Sequence, residues 1–479
     1  MSTAAPTQAF IDGAWIDTPA RFAVRNPATG DIVAEVADCG TAETEAAIAA
    51  AARAFPAWSA MVAKDRSAIL MRWFNLIVRD ADAIAAILTA EGGKPLAEAK
   101  GEVLYGASFC EWYAEEAKRA YGRTIPTTVA SRRYVTIKQP VGVVAAITPW
   151  NFPAAMVTRK AAPALAAGCT VVLKPAEATP MTALKLAALA AEAGVPAGVL
   201  NIVPSNKPAE VGKALTESAT VRKLSFTGST ATGKLLAAQC AGTVKRLSLE
   251  LGGNAPFIVF ADADLDLAVK GVMAAKWRNS GQVCTTPNRV LVERKAHDAF
   301  AQKLAEAVRA LKVGPGTEAG VQIGPLINAR AVEKVEALVA HAVSHGAKAL
   351  TGGARHDAGA QFYQPTVLTG VAEDMRVSRE EIFGPVLPLL TFETEDEAVR
   401  IANDTPYGLA AYFFAGDVAR AWRVAEKLEY GMVCVNDGLM SQEVAPFGGM
   451  KESGIGREGG AEGLEEFLET KFISFNGIV

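Results

Sequence analysis

Short apolar runs and longer helical patterns alternate between residues 142 and 251. GVVAAIT (142–148) has the unbroken apolar character of a buried strand, and the Ala-rich stretch 154–167 reads as a helix. TVVLKP follows as a strand, then TALKLAALAAEAG as a helix ending at Gly194. VLNIVP, AEVGKALTESA, KLSFTG, STATGKLLAAQCAG and KRLSLEL continue the rhythm. Such repetition requires parallel strands covered by helices, so the region predicts a doubly wound α/β fold. Residues 40–120 are mostly helical in pattern. From Ala255 a second alternation begins: PFIVF, a helix through Trp277, RVLVE, then two long helices to about Ala347. That is enough apolar material for a second α/β core. RRYVTIKQ (132–139) and FISFNGI near the C-terminus alternate with period two. Too short to form a domain, they read as a sheet edge that needs a partner, such as another subunit.

Composition narrows the function classes. A chain of 479 residues corresponds to about three domains. Half the residues are hydrophobic and 21% are charged, an ordinary globular balance that excludes general disorder. A formal net charge of −3 gives no electrostatic case for binding nucleic acid. The uncharged stretch from Gln139 to Thr158 contains Pro140, Pro149, Pro153 and a polar Trp150-Asn151 step, so it does not read as a membrane span. MSTAAPTQAF lacks a basic n-region and an apolar core, so no export signal is expected and the expected location is cytoplasmic. Six dispersed cysteines form neither a zinc set nor a disulfide framework, and no metal is expected. What remains is whether one of them is a nucleophile.

Three motifs promise more than they deliver. Gly228-Ser-Thr-Ala-Thr-Gly233-Lys234 begins like a phosphate-binding P-loop, but Leu235 stands where magnesium chemistry needs a hydroxyl. The turn keeps a helix N-terminus suited to an anion, so phosphate contact is retained, against a plain strand-to-helix turn, and nucleotide hydrolysis rejected. Gly454-Ile-Gly456-Arg-Glu-Gly459 has dinucleotide-fingerprint spacing without a leading strand, and reads as a surface loop. His341 and His345 lie four apart without a third ligand and read as a solvated helix face.

The chemistry gathers elsewhere. Cys284 stands in Asn279-Ser-Gly-Gln-Val-Cys284-Thr beside Gly281, in a loop. An isolated cysteine is ordinarily a small buried hydrophobe, and an ordinary thiol is only a few per cent ionised at pH 7. No histidine lies near it in sequence to support a Cys–His protease. Glu250 ends an apolar strand, although glutamate is rarely buried unpaired. Pro149-Trp150-Asn151-Phe152-Pro153 is a rigid turn at a strand's carboxyl end, where doubly wound sheets bind ligands, and an asparagine amide there could face an oxyanion.

Together these residues resemble the aldehyde dehydrogenase superfamily, essentially from end to end. PWNFP, LKPAE, FTGST, LELGG, GQVCT, EEIFGP and PFGGMKESGIGRE occur in that family's order and spacing. The resemblance implies an NAD-binding domain from residues 1–121 and 142–250, a catalytic domain over 251–445, and an oligomerisation element from 122–141 and 446–479. It implies that Cys284 attacks the aldehyde as a thiolate while Asn151 and the Cys284 N–H hold the oxyanion, each such donor being worth roughly 3 kcal/mol. Hydride then passes to the nicotinamide, and Glu250 activates the water that hydrolyses the thioester. Lys160 and Glu458 match positions linked to proton transfer. For the cofactor it implies Trp150 and Lys174, Gly228 and Ser229 at the pyrophosphate, and Glu381 and Phe383 around the nicotinamide ribose and ring. Glu177 would accept from the adenosine ribose and repel a 2′-phosphate, favouring NAD, with NADP a weaker possibility.

Three residues resemble the succinate-semialdehyde dehydrogenase branch in particular: Arg159, Arg278 and Ser441. In that branch they bind the carboxylate at the far end of the substrate, which suits the planar fork of arginine. The alternative is surface charge or structural ion pairing. Thr286 replaces a second cysteine found in some members of the branch, so no local disulfide switch is expected. The expected reaction is oxidation of succinate semialdehyde to succinate by a homodimer or homotetramer. A glutarate-semialdehyde or broad-specificity enzyme is the alternative, because one methylene discriminates by only about 1–3 kcal/mol. A non-catalytic binding protein of the same fold is the alternative of another class.

Overall fold

The computed structural model describes residues 5–477, and two large sheets organise them. In the first, parallel strands lie side by side in the order Leu200–Ile202, Thr170–Lys174, Val143–Ile147, Val221–Thr227 and Arg246–Glu250. Chain order doubles back between Val143–Ile147 and Val221–Thr227, so a crevice opens at the carboxyl ends of these two strands. Helices cover both faces, which is why the strands are apolar almost throughout. Helix Ala155–Ala167 is buried at every residue. Lys223, Ser225, Ser248 and Glu250 interrupt the apolar pattern on two neighbouring strands, and all four are buried.

The second sheet has seven strands in the order Lys348–Thr351, Thr366–Thr369, Val386–Phe392, Pro287–Glu293, Ala255–Val259, Ala410–Phe414 and Met432–Val435. Only Lys348–Thr351 runs antiparallel to its neighbour. Arg246–Glu250 passes into Ala255–Val259 through residues 251–254. The carboxyl edge of the first sheet therefore meets the amino edge of the second, and the candidate site lies at this seam.

A smaller antiparallel sheet joins Arg123–Ile125, Arg132–Pro140 and Leu468–Asn476, in register from Leu468 opposite Pro140 to Asn476 opposite Arg132. The two period-two segments thus pair with each other. Ile137, Phe472 and Phe475 remain exposed on this sheet.

The structure departs from the sequence reading in two places. Two N-terminal hairpins, Ala9–Ile11 with Ala14–Ile16 and Arg21–Arg25 with Ile32–Ala37, had no legible signal. The first extends the large sheet through Phe10 opposite Ile202. The Gly454–Gly459 motif is also not simply a surface loop. Gly454–Ile455 pairs antiparallel with Arg246–Glu250, placing Gly454 opposite Glu250, and Glu458 follows into the interior with 5% of its surface exposed.

Candidate active site

Pro149, Trp150 and Asn151 follow strand Val143–Ile147, while Gly228 and Ser229 follow Val221–Thr227, so two turns flank the crevice. A cavity of about 270 Å³ fills it, walled by Trp150, Asn151, Ser229, Cys284, Glu381 and Phe383 among others. Ser229 caps helix Thr230–Ala241, its Oγ accepting the Thr232 N–H at 3.3 Å. The remaining free N–H groups of that first turn suit a phosphate. Lys234 does not join them; it pairs with Glu452 at 2.8 Å on the surface.

At the inner end, the Trp150 and Phe383 rings meet edge-on with centroids 5.7 Å apart. Glu381 Oε1 accepts the Gly253 N–H at 3.0 Å. A neighbouring cavity of about 390 Å³ shares Trp150 and includes Glu177 and Asn206. Lys174 Nζ donates to the Pro175 carbonyl at 3.1 Å and pairs with Glu177 Oε2 at 3.4 Å. Of the residues matched to a dinucleotide, Trp150, Gly228, Ser229, Glu381 and Phe383 thus line one cavity with Cys284, and Glu177 lines the neighbouring one.

Cys284 follows an unusual turn. Asn279, Ser280 and Gly281 are consecutively left-handed, with φ of 48°, 57° and 76°. A Cβ on Gly281 would lie 2.2 Å from the Gly384 carbonyl oxygen, so glycine is required there. Glu98 Oε1 holds the turn by accepting the Asn279 N–H at 2.7 Å, and Ser280 Oγ donates to the Gly324 carbonyl at 2.9 Å. Gly253, in LELGG, permits the approach from the other side: a Cβ there would lie 2.6 Å from the Cys284 carbonyl oxygen. Asn151 Nδ2 donates to the Gln282 carbonyl at 3.0 Å, which ties the oxyanion candidate to the nucleophile loop and leaves it a second N–H.

Of the six free thiols, Cys284 is the one that lines the cavity. Burial pushes its pKa up to about 12, helped by Glu250 and opposed by Arg159 and Arg278. Without ligand, Cys284 is therefore a neutral thiol at physiological pH. Glu250 is 3% exposed and neither carboxylate oxygen has a hydrogen-bond partner. Burial, and then Glu458, raise its pKa well above the usual carboxylate range, against Arg159 and Lys160. Glu458 behaves oppositely. Burial raises its pKa, but Lys160 and Arg159 outweigh this and hold it below the ordinary value. Lys160 Nζ is 2.5 Å from Glu458 Oε1 and 3.2 Å from Ser225 Oγ, and Arg159 Nε is 2.8 Å from Glu458 Oε2.

The three substrate candidates are placed unequally, and none lines the cavity around Cys284. Arg159 is 1% exposed, stacked over Phe447 at 3.7 Å and engaged with Glu458, although its Nη2 is buried without a partner. Arg278 stands over Phe152 at 5.5 Å with a buried, unpartnered Nε. Ser441 is half-buried in the loop after Met432–Val435. Both arginines lie close enough to Cys284 to pull its thiol pKa down.

Several residues here escaped the sequence reading. Lys94 and Glu102 form a buried ion pair beneath Asn151. The Tyr105 hydroxyl is buried without a partner and feels the charge of both Arg159 and Arg278. Lys276 Nζ is buried and unpaired, and burial pushes its pKa down to about 7 against Glu381. For Glu102, Tyr105 and Lys276 the only sequence signal was polarity inside helical patterns, which normally marks a solvated face, and Lys94, between two helices, gave none. His341 and His345 stack on each other with ring centroids 4.0 Å apart. Among the described residues no single helix is long and apolar enough to cross a membrane.

Comparison with known proteins agrees with this geometry. The aldehyde dehydrogenase family profile matches residues 15–473. The mitochondrial succinate-semialdehyde dehydrogenase of Arabidopsis thaliana is 58% identical over 98% of this chain and 89% of its own. The glutarate-semialdehyde dehydrogenase of Pseudomonas aeruginosa is 55% identical over 98% of both chains. A crystal structure of an NADP-dependent enzyme from E. coli superimposes with a TM-score of 0.98, at 55% identity over 98% of both chains. A family profile that spans residues 15–473, with relatives more than half identical nearly throughout, leads to one conclusion: this protein belongs to the aldehyde dehydrogenase family.

Proposed function

We propose that the protein oxidises succinate semialdehyde to succinate with NAD. The observation that carries this reading is a cavity-lining thiol, Cys284, within electrostatic reach of buried Arg159 and half-buried Arg278, each of which keeps a buried donor without a hydrogen-bond partner. Those donors suit a substrate whose far end is a carboxylate. Glutarate semialdehyde is the second reading, favoured by the 55% identity to the Pseudomonas aeruginosa enzyme.

The crevice fits a dinucleotide. The first turn of helix Thr230–Ala241 would hold the pyrophosphate, Glu381 the nicotinamide ribose, and Trp150 and Phe383 the ring. Glu177 favours NAD, because a carboxylate accepts from ribose hydroxyls and repels a 2′-phosphate. The E. coli neighbour uses NADP, so the preference rests on Glu177 and its pairing with Lys174.

Cys284 Sγ adds to the aldehyde carbon, and the carbonyl oxygen becomes an oxyanion held by the second Asn151 N–H and the Cys284 N–H. The thiol gives up its proton to solvent as it attacks, a loss that the charges of Arg159 and Arg278 favour. A dinucleotide held in the crevice would supply the oxidant, as acceptor of the hydride from the substrate carbon, and Cys284 would then carry the acyl group as a thioester. Glu250, in the ionised form that Arg159 and Lys160 favour against burial, then removes a proton from water, whose oxygen adds to the thioester; the acid leaves and Glu250 returns the proton to the departing Cys284 thiolate. The Lys160–Glu458 pair lies beside Glu250 and suits proton exchange with it.

The exposed apolar side chains of the small antiparallel sheet favour assembly into at least a dimer, and six free thiols suit a reducing compartment such as the cytoplasm. The test of the chemistry is Glu250→Gln. Mixed with cofactor and succinate semialdehyde, this variant is expected to stall as a succinyl thioester on Cys284, visible by intact mass. Full turnover without an acyl adduct would overturn the assignment of Glu250.

A further inference from the structure

Asn151 is useful as an oxyanion donor only if its amide is held still relative to Cys284, and nothing on its own turn does this. The support comes from a different part of the chain. Lys94 lies between helices Ala81–Gly92 and Leu96–Glu116, and its side chain is 1% exposed. Its ammonium meets three partners: the Glu102 carboxylate, the Asn151 carbonyl oxygen at 2.9 Å, and the Phe152 ring at 3.8 Å. All three donor directions of a lysine are thus accounted for. Glu102 Oε1 accepts the N–H groups of Ala154 and Ala155 at 2.9 and 3.3 Å. Helix Ala155–Ala167 has no side-chain cap of its own, so the distant carboxylate fills that role. From the other side, Asn279 Nδ2 donates to the Asn151 carbonyl at 3.2 Å and to the Gln282 carbonyl at 3.3 Å.

We infer that Lys94 and Glu102 are positioning residues for the reaction, a buried clamp that fixes the Asn151 amide against the nucleophile loop. The inference rests on the reading of Asn151 as oxyanion donor. Burying two charges beneath a turn is a costly way merely to stabilise it, since apolar residues of similar volume usually serve as well. What an ion pair adds is direction: the ammonium sets the Asn151 carbonyl, and the carboxylate sets the helix that begins at Ala155.

The test is a double-mutant cycle. Asn151→Ala is expected to lower kcat by about 10²–10³-fold, the usual loss for one oxyanion donor. Lys94→Met is expected to lower kcat by about 10²-fold, as a misplacement of about 1 Å can. The Kd for NAD and the rate of Cys284 alkylation by iodoacetamide should stay within about twofold, because neither uses the oxyanion site. Lys94→Met added to Asn151→Ala should cost nothing further, which a general loss of stability would not reproduce. Should Lys94→Met fail to fold, Lys94→Met/Glu102→Leu replaces the ion pair by apolar volume and takes its place in the cycle. Wild-type kcat in a folded Lys94 variant, or losses that multiply with Asn151→Ala, would overturn the clamp. Wild-type kcat in Asn151→Ala would instead overturn the oxyanion reading on which it rests.

Discussion

Cys284 combines a reactive position with an unreactive ionisation state. Burial pushes its thiol pKa up to about 12, against an ordinary value of 9.0, and the Glu250 carboxylate adds to the effect. Below its pKa, a thiol gains thiolate tenfold per pH unit. Alkylation of Cys284 by iodoacetamide in cofactor-free protein should therefore accelerate by about tenfold per unit from about pH 7 to 9. A plateau near the ordinary thiol pKa would show that burial does not control it. Suppressed ionisation also protects a resting thiol from oxidation, since susceptibility follows thiolate character. Lys276, eight residues earlier, shows the same physics in reverse. Its amine titrates at about 7 in the folded protein and at 10.5 when unperturbed. Between these values the unfolded chain holds a proton that the folded chain does not, so stability should rise with pH by up to ~1.4 kcal/mol per unit. Below about pH 7 both states are protonated, and that gain is absent. Lys276→Met is expected to raise Tm at pH 7 and to flatten the rise toward pH 10. An unchanged or lower Tm would mean that the amine has a partner.

At the scale of elements, the turns after the parallel strands carry most of the chemistry, and they were also the most legible. Val143–Ile147 and Val221–Thr227 are continuous apolar runs because both of their faces are covered, so PWNFP and the Gly228-Ser229 turn stood out at their ends. Glu177, after the strand Thr170–Lys174, is the proposed cofactor-selecting residue on the same logic. Glu177→Ser should raise kcat/KM for NADP relative to NAD by about tenfold or more, as removing a repulsive charge does. An unchanged ratio would place the discrimination elsewhere. Elements built by distant pairing were illegible. Gly454–Ile455 is two residues long and exists only because Arg246–Glu250 offers a free edge. Ala9–Ile11 is too short to show alternation and is fixed by one register pair to Leu200–Ile202. Helix Leu96–Glu116 falls within the stretch whose pattern predicts helix, but nothing in that pattern sets Glu98 and Glu102 apart. Their contacts are with Asn279 and with Ala154 and Ala155, at sequence separations over which helical periodicity says nothing.

On the scale of the whole molecule, two doubly wound sheets meet carboxyl edge to amino edge, and the groups proposed to react come from both sides of the seam. Asn151 and Glu250 belong to the first sheet, while Cys284 enters just before strand Pro287–Glu293 of the second. A relay of buried charges behind the seam, Glu250 with Glu458, Lys160 and Arg159, is closed by the C-terminal segment. Arg159 is drawn into this relay, which leaves Arg278 as the less committed of the two cations for a substrate carboxylate. Specificity for a carboxylated aldehyde is the central claim, and the rate of cofactor reduction with succinate semialdehyde and with butanal measures it most directly. The two substrates have the same carbon count and differ in the charge at the far end. A kcat/KM preference of about 10²-fold or more for succinate semialdehyde is expected, the scale of a charge-assisted bidentate contact. Equal kcat/KM values would contradict it and return Arg159 and Arg278 to purely structural roles.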